Sequence, residues 1–231
     1  MLTQRGIGGY VSVAELRGCT ALVTGGTSGI GLATAQLLTH AGAHVIVSDE
    51  DPDRGKLAAS RLGSGTRFLP ASLADLGDVD FLARQTPIDI LIAAAVIADL
   101  HLLQGVYFLV AAVAPPMIRR GGGAIINVLP SEPEFSAALR SLTRTWAAEF
   151  GPHGIRVNSV APGPPGTDNA LGRTAEPSEI AAAIAFLASP RATCITGTTL
   201  SVDGGAAIGR TRQRVARMDR SRWTDPRSGD S

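Results

Sequence analysis

The chain of 231 residues has only two cysteines, four histidines and a small net charge, so it lacks the composition of disulfide-rich, metal-binding or strongly basic or acidic proteins. Its two cysteines, Cys19 and Cys194, lie far apart in apolar segments, so we expect buried free thiols and a reducing, cytoplasmic location. The four histidines form no metal-ligand pattern, and His40, His44 and His153 are expected at the surface. The formal net charge is only +1, so the overall charge gives no reason to expect a nucleic acid partner.

Long apolar runs are also scarce. No uninterrupted run has the length of a membrane span, and residues 1–13 lack the apolar core of a signal peptide. With 45% hydrophobic residues the chain can still bury a full core.

We expect an N-terminal extension (1–15), one domain (16–208) and a disordered tail (209–231). The tail has seven arginines against three aspartates, and a solubilising role is favoured over binding of nucleic acid or an acidic partner.

A glycine-rich turn stands where an apolar run (19–23) meets a helical pattern (30–40). Glycines permit a sharp turn and the close approach of a pyrophosphate, and the helix N-terminus adds free N–H groups and partial positive charge. A purely structural turn is the alternative interpretation. The predicted dinucleotide-binding residues of the turn are Gly25, Thr27, Ser28, Gly29, Ile30 and Gly31.

An acidic residue, Asp49, ends the second apolar run about 20 residues beyond the glycines, where a ribose-binding carboxylate is expected. Such a carboxylate accepts hydrogen bonds from a ribose 2′-hydroxyl and repels a 2′-phosphate. Glu50, Asp51 and Asp53 add further negative charge beside Asp49, and Arg54 is the only positively charged residue close to them in sequence. The pattern therefore predicts NAD as the cofactor and makes NADP less favoured; a solvated acidic turn is the alternative.

Apolar strand-like runs and helical patterns alternate along the chain. The strands are predicted at 19–23, 43–48, 66–69, 88–95, 124–129, 155–160 and 198–202, and the helices at 30–40, 55–62, 102–118, 137–150 and 178–188. Pro115 and Pro116 are expected to shorten the third helix. Strands too apolar to face water predict an α/β fold, a single Rossmann-type doubly wound parallel sheet with helices on both faces.

The motifs together resemble the short-chain dehydrogenase/reductase family from Leu16 to Ile208. The segments that carry the resemblance are 24–31, 89–92, 123–128, 154–163 and 196–205. The resemblance implies an NAD(P) cofactor, hydride transfer to or from a carbonyl or alcohol, and assembly as dimers or tetramers. It adds further cofactor-binding candidates at Ser72, Leu73, Ala93, Pro162, Gly163 and Thr167.

The family's catalytic pattern, a tyrosine followed four residues later by a lysine, is absent from this chain. Its tyrosines are Tyr10 and Tyr107, its lysine is Lys56, and alanine stands four residues beyond each tyrosine. By register, the family's serine and tyrosine positions fall near Ser131 and Glu132, which are weak catalytic candidates. A solvated loop is the favoured interpretation of both residues.

Three further departures lie on the substrate half of the predicted sheet. Segments 96–102, 128–137 and 167–171 are shorter than in the family, and Pro165 lacks the N–H that would contact a carboxamide. These departures fit a family member that still folds but has lost its catalytic site, a catalytic site rebuilt for other chemistry, or a faulty sequence.

We therefore hold two hypotheses: a weak NAD-dependent oxidoreductase, or a non-catalytic relative that binds a cofactor or partner subunit. The substrate is unknown, and we expect a homo-oligomer formed through helices 102–118 and 137–150.

Overall fold

The structure of the protein, a computed structural model, describes residues 15–85, 87–166 and 169–208. The predicted tail, nearly all of the N-terminal extension and Thr167 lie outside these residues. The described strands are β1 (Thr20–Thr24), β2 (His44–Asp49), β3 (Thr66–Pro70), β4 (Ile90–Ala93), β5 (Gly123–Val128), β6 (Ile155–Pro162) and β7 (Thr199–Val202). The described α-helices are α1 (Gly29–His40), α2 (Pro52–Leu62), α3 (Leu76–Arg84), α4 (Leu100–Arg119), α5 (Pro133–Phe150) and α6 (Pro177–Ala188).

The strands form one parallel sheet of seven strands in the order β3-β2-β1-β4-β5-β6-β7. Within it, Val23 of β1 lies opposite Val47 of β2 and Ile92 of β4. The chain runs outward from β1 to β3, then returns to β4 and proceeds the other way. The carboxyl ends of β1 and β4 therefore flank the crevice where such sheets bind ligands. The predicted α/β fold is confirmed.

Helices cover both faces of the sheet because successive strand residues point to opposite sides. Leu22 belongs to the apolar core under α3, α4 and α5, whereas its neighbour Val23 belongs to the core under α1 and α6. Both side chains are fully buried. This double burial explains why the strands read as continuous apolar runs.

Helix α3 was not predicted from the sequence. Its sequence buries only Val79 and Leu82, so its apolar pattern is weak. The helix begins because the carboxylate of Asp75 accepts hydrogen bonds from the backbone N–H groups of Gly77 (2.7 Å) and Asp78 (3.2 Å). An aspartate that caps a short helix has the same local appearance as one that begins a turn.

Helix α4 differs from the prediction at its end, since Pro115 and Pro116 lie inside it and it continues to Arg119. The side chain of Arg120 donates a 3.1 Å hydrogen bond to the carbonyl of Pro116, which helps to complete the last turn. The helix is long and apolar enough by composition to cross a membrane. In the structure it packs against the sheet and buries eight residues, as core helices of globular domains also do.

The two cysteines are free, but the expected burial is wrong. Cys194 is exposed and Cys19 is only half-buried, because each lies just outside the sheet rather than within a strand. Burial raises the pKa of the Cys19 thiol, and the nearby Asp89 carboxylate raises it further. The prediction for His40, His44 and His153 is confirmed, since all three are exposed.

The C-terminus of α6 is capped by a side chain from β6. Arg156 donates to the carbonyl oxygens of Leu187 (2.6 Å), Ala188 (3.4 Å) and Ser189 (3.2 Å). Burial lowers the pKa of this guanidinium group. The cap joins α6 to the sheet and satisfies carbonyl groups that a helix end leaves without partners.

We expect Arg156→Met to lower the free energy of unfolding by about 1–3 kcal/mol, because methionine keeps apolar contacts but leaves buried carbonyls unpaired. The matched control is Arg84→Met, which breaks an exposed pair with Asp80 (2.8 Å) and should change stability by less than about 1 kcal/mol. Urea unfolding of the three proteins measures both effects. Equal losses in the two variants would contradict the capping role.

Candidate functional site

The glycine turn adopts a backbone that other residues rarely adopt. Gly25 and Gly29 have φ values of +63° and +50°. A Cβ atom on Gly31 would lie 2.1 Å from the carbonyl oxygen of Gly25, so only glycine is accommodated there. No side chain caps the N-terminus of α1 at Ser28. The turn therefore leaves the helix N-terminus available for an anion, as a pyrophosphate requires.

A cleft of about 560 Å³ opens beside this turn, at the carboxyl ends of β1, β2 and β4. The predicted residues that line it are Gly25, Ser28, Gly29, Ile30, Gly31, Asp49 and Leu73. The additional lining residues are Thr24, Ser48, Glu50, Arg54, Ala71, Ala94, Ala95, Val96, Leu102 and Pro177. The cleft therefore joins the turn, the end of β2 and the start of α6.

Five predicted cofactor residues have other positions. Thr27 is buried and bonded to Asp49, and Ser72 is bonded to Glu50, so each contacts a lining residue without lining the cleft itself. Ala93, Pro162 and Gly163 lie at the ends of β4 and β6 without lining the cleft.

Asp49 is held in place by three groups at the end of β2. The hydroxyl of Thr27 donates to its Oδ2 atom, and the Arg54 guanidinium lies 3.3 Å from its Oδ1 atom. The backbone N–H of Asp51 also approaches Oδ1 at 3.4 Å. The Asp49 side chain retains 15% of its surface exposed. The carboxylate is thus fixed at the cleft wall and still accessible.

Arg54 and Glu50 were not predicted to bind a cofactor, although both line the cleft. Arg54 also contacts Asp51, with an Nε–Oδ2 distance of 3.0 Å, and its own side chain is largely exposed. The hydroxyl of Ser72 donates to Oε1 of Glu50 at 2.6 Å. The sequence signal was the run of charged residues after β2, which reads equally well as a solvated turn.

Known proteins share this sequence and fold. Residues 19–132 match the short chain dehydrogenase family model, and residues 135–170 and 166–207 match the model described as enoyl-(acyl carrier protein) reductase. Galactitol 2-dehydrogenase (L-tagatose-forming) of Cereibacter sphaeroides is 32% identical in a match that covers 86% of this chain and 99% of that protein. The chain belongs to the short-chain dehydrogenase/reductase family. It is therefore related to nicotinamide-dependent oxidoreductases.

Solved structures of this family share the architecture. One short chain dehydrogenase/reductase family protein is 47% identical, with a TM-score of 0.79, and the match covers 84% of this chain and 99% of that one. A protein from Beutenbergia cavernae, described as an NAD(P)-dependent gluconate 5-dehydrogenase with bound NADP at low occupancy, is 27% identical. Its TM-score is 0.78, and the match covers 86% of this chain and 100% of that one.

This family member is shorter than its relatives in places. The match to the galactitol dehydrogenase spans 253 positions, whereas 86% of this chain of 231 residues is about 199 residues. About 54 positions of that match thus have no counterpart in this chain. Short connections follow β4 and β5, where residues 94–99 and 129–132 lead to α4 and α5.

The catalytic candidates lie apart from the cleft. Ser131 is exposed and Glu132 is half-buried at the start of α5, and neither residue lines the cleft. Tyr107 of α4 packs against Phe108 and Trp146, with ring centroids 5.5 and 5.9 Å away. Lys56 is exposed on α2. Within residues 15–85, 87–166 and 169–208, no three metal-ligating side chains form a cluster.

Between β6 and α6, the described residues 163–166 and 169–176 are held by contacts with one another and with α6. The Arg173 guanidinium forms two hydrogen bonds with the Glu179 carboxylate, at 2.7 and 2.6 Å. These bonds, together with one from the backbone N–H of Glu176, lower the pKa of Glu179 to about 2. The hydroxyl of Thr174 donates to the carbonyl of Gly166 at 2.9 Å. Pro177, the first residue of α6, lies in the cleft wall.

Proposed function

We propose that the protein binds NAD in this cleft and favours it over NADP. The observation that carries the proposal is the Asp49 carboxylate, which Thr27 orients at the cleft wall beside the glycine turn. The turn suits a pyrophosphate, since no side chain caps the N-terminus of α1 at Ser28. Arg54 acts in the opposite sense, because its positive charge partly offsets Asp49.

We further propose that hydride transfer to or from a carbonyl or alcohol is slow in this protein. A nicotinamide dinucleotide held beside Gly25, Gly31 and Asp49 would supply the hydride chemistry, and the protein would have to supply a group that moves the proton. The whole chain has no tyrosine–lysine pair at the family's spacing. The cleft wall is also apolar at Ala94, Ala95 and Val96, which offer no side chain for proton transfer.

Titration of the protein with NADH tests the binding proposal directly, through the fluorescence of the reduced nicotinamide. We expect NADH binding to saturate, and we expect NADPH to reach the same saturation only at a higher concentration. A screen of carbonyl substrates with NADH then tests hydride transfer. Absence of NADH binding would overturn the first proposal, and tighter binding of NADPH would overturn the NAD preference.

A second candidate function is that of a non-catalytic family member that binds a cofactor or a partner subunit. The observation that favours it is the absence of a tyrosine–lysine pair at the family's spacing anywhere in the sequence. Clear NADH binding without turnover of any carbonyl tested would support this function. Steady oxidation of NADH that depends on the carbonyl would exclude it.

We also propose that the protein forms a homo-oligomer through α4 and α5. Tyr107 and Phe108 project from α4 with 44% and 45% of their surface exposed, while other residues of the helix fill the core. Gln104 and Ala111 are exposed within one turn of these rings. Neighbouring exposed aromatic side chains are typical of association surfaces.

Phe108→Glu is expected to convert the oligomer to a monomer, because a carboxylate within an apolar interface would be desolvated without a partner. The matched control is Phe81→Glu on α3, since Phe81 is similarly exposed at 41% but lies on another helix. Light scattering at micromolar concentration gives the mass of each protein. A monomeric unmodified protein, or dissociation of the Phe81 variant alone, would contradict the assignment.

A further inference from the structure

A second cavity lies near the amino end of β4, at the opposite edge of the sheet from the cleft beside the glycine turn. It has a volume of about 720 Å³ and lies between the C-terminal halves of α3 and α4. Among the described residues, none lines both this cavity and the cleft. The apolar part of its wall is formed by Ala83, Ile88, Ala112, Val113, Pro115 and Pro116. A cavity of this size accommodates a small organic molecule.

The cavity wall includes a residue whose carbonyl group the helix itself cannot satisfy. A helical carbonyl accepts a hydrogen bond from the N–H group four residues further on, or three residues further on in a tighter turn. For Ala112 of α4 these positions are Pro116 and Pro115, and proline has no N–H group. The carbonyl oxygen of Ala112 therefore keeps its lone pairs for a donor from outside the helix.

Two of the three arginines at this cavity already have carboxylate partners. The Arg120 guanidinium donates to the carbonyl of Ile88 and pairs with Asp89 at 3.2 Å, which joins the end of α4 to the segment before β4. Arg84 pairs with Asp80 through an Nε–Oδ1 contact of 2.8 Å. These pairs hold the cavity wall in shape and neutralise the charge of both arginines.

Arg119 supplies the positive charge that remains. This residue lines the cavity, is exposed, and forms no hydrogen bond or ion pair with any other part of the chain that the structure describes. A guanidinium group binds a carboxylate through two parallel hydrogen bonds, and its flat face stacks on aromatic rings.

We propose that this cavity binds a small aromatic carboxylate that carries a hydroxyl group. Arg119 pairs with the carboxylate of such a molecule, and the ring lies against Val113 and the two prolines. The hydroxyl donates to the carbonyl oxygen of Ala112, which satisfies the acceptor that the prolines leave without a helical partner.

Isothermal titration calorimetry with 4-hydroxybenzoate tests this proposal. We expect a dissociation constant of about 1 mM or tighter, as is usual for so small a ligand, and no change when NADH is present. Arg119→Gln should weaken binding about tenfold, because glutamine lacks the charge that pairs with the carboxylate. The matched control is Arg61→Gln, which removes an exposed arginine of α2 outside the cavity and should leave the dissociation constant unchanged.

Pro116→Ala tests the role of the Ala112 carbonyl, because alanine restores an N–H group four residues beyond it. The comparison probe is 4-methylbenzoate, which has the same charge and nearly the same size but no hydroxyl donor. The unmodified protein should bind 4-hydroxybenzoate about fivefold more tightly than this probe, and the ratio should fall close to one in Pro116→Ala.

Three results would overturn the proposed site: no binding of 4-hydroxybenzoate to the unmodified protein, its displacement by NADH, or equal weakening in Arg119→Gln and Arg61→Gln. Equal binding of the two benzoates by the unmodified protein would overturn the selection of a hydroxyl group by Ala112.

Discussion

We expect Asp49→Ala to narrow the preference for NADH over NADPH from about 100-fold to less than about tenfold. A unit charge a few ångströms from a phosphate contributes roughly 3 kcal/mol at an effective dielectric constant near 20, which corresponds to about a 100-fold ratio. In the unmodified protein Thr27 and Arg54 hold the Asp49 carboxylate at the cleft wall. Removing it leaves Arg54 free to approach a 2′-phosphate. Dissociation constants of both dinucleotides, measured at one fixed salt concentration, give the ratio.

The control for this prediction is Asp51→Ala, which also removes a carboxylate that contacts Arg54 but does not line the cleft. We expect a smaller change in the NADH to NADPH ratio than in Asp49→Ala. Asp49→Asn removes the charge but keeps the size of the side chain, and it should also narrow the NADH to NADPH ratio. Equal ratios in the unmodified protein and in both Asp49 variants would show that another group selects the cofactor.

Turnover of carbonyl substrates is expected to be about 10²- to 10⁴-fold slower than in relatives that carry the tyrosine–lysine pair, because a positioned acid–base group contributes that factor. Water must then protonate the carbonyl oxygen as the hydride is transferred. The rate should rise as the pH falls, since the supply of acid limits the reaction. The measurement is a pH profile of NADH oxidation, corrected for the decay of NADH in acid without protein.

Glu132→Gln decides whether the Glu132 carboxyl contributes to that proton transfer. We expect this variant to keep the acid-side rise, because Glu132 does not line the cleft. Its matched control is Glu134→Gln, an exposed carboxylate in the first turn of the same helix. Loss of the rise in Glu132→Gln alone would identify Glu132 as the proton donor. Rapid turnover at pH 7–8 that survives the substitution would overturn the proposal of slow transfer.

Much of the fold was predictable because its signals are local. The turn from Gly25 to Gly31 and the position of Asp49 depend on residues within a single strand–helix–strand unit. The central strands β1, β2, β4, β5 and β6 were recognisable because burial on both faces makes them mostly apolar. Helix α3 was not recognised because it buries only two residues, which leaves its apolar periodicity weak.

The sequence by itself determined the parallel sheet, the glycine cradle and the carboxylate at the end of β2, because strand periodicity and glycine geometry act over short distances along the chain. Only the tertiary structure decided what surrounds that carboxylate. The pairing of β2 with β3 sets Asp49 opposite Pro70, and this register brings Glu50 to Ser72, 22 residues away. The packing of α6 likewise places Pro177 in the same cleft wall. Contacts between strand ends depend on register and helix packing, which are properties of the assembled sheet rather than of any segment.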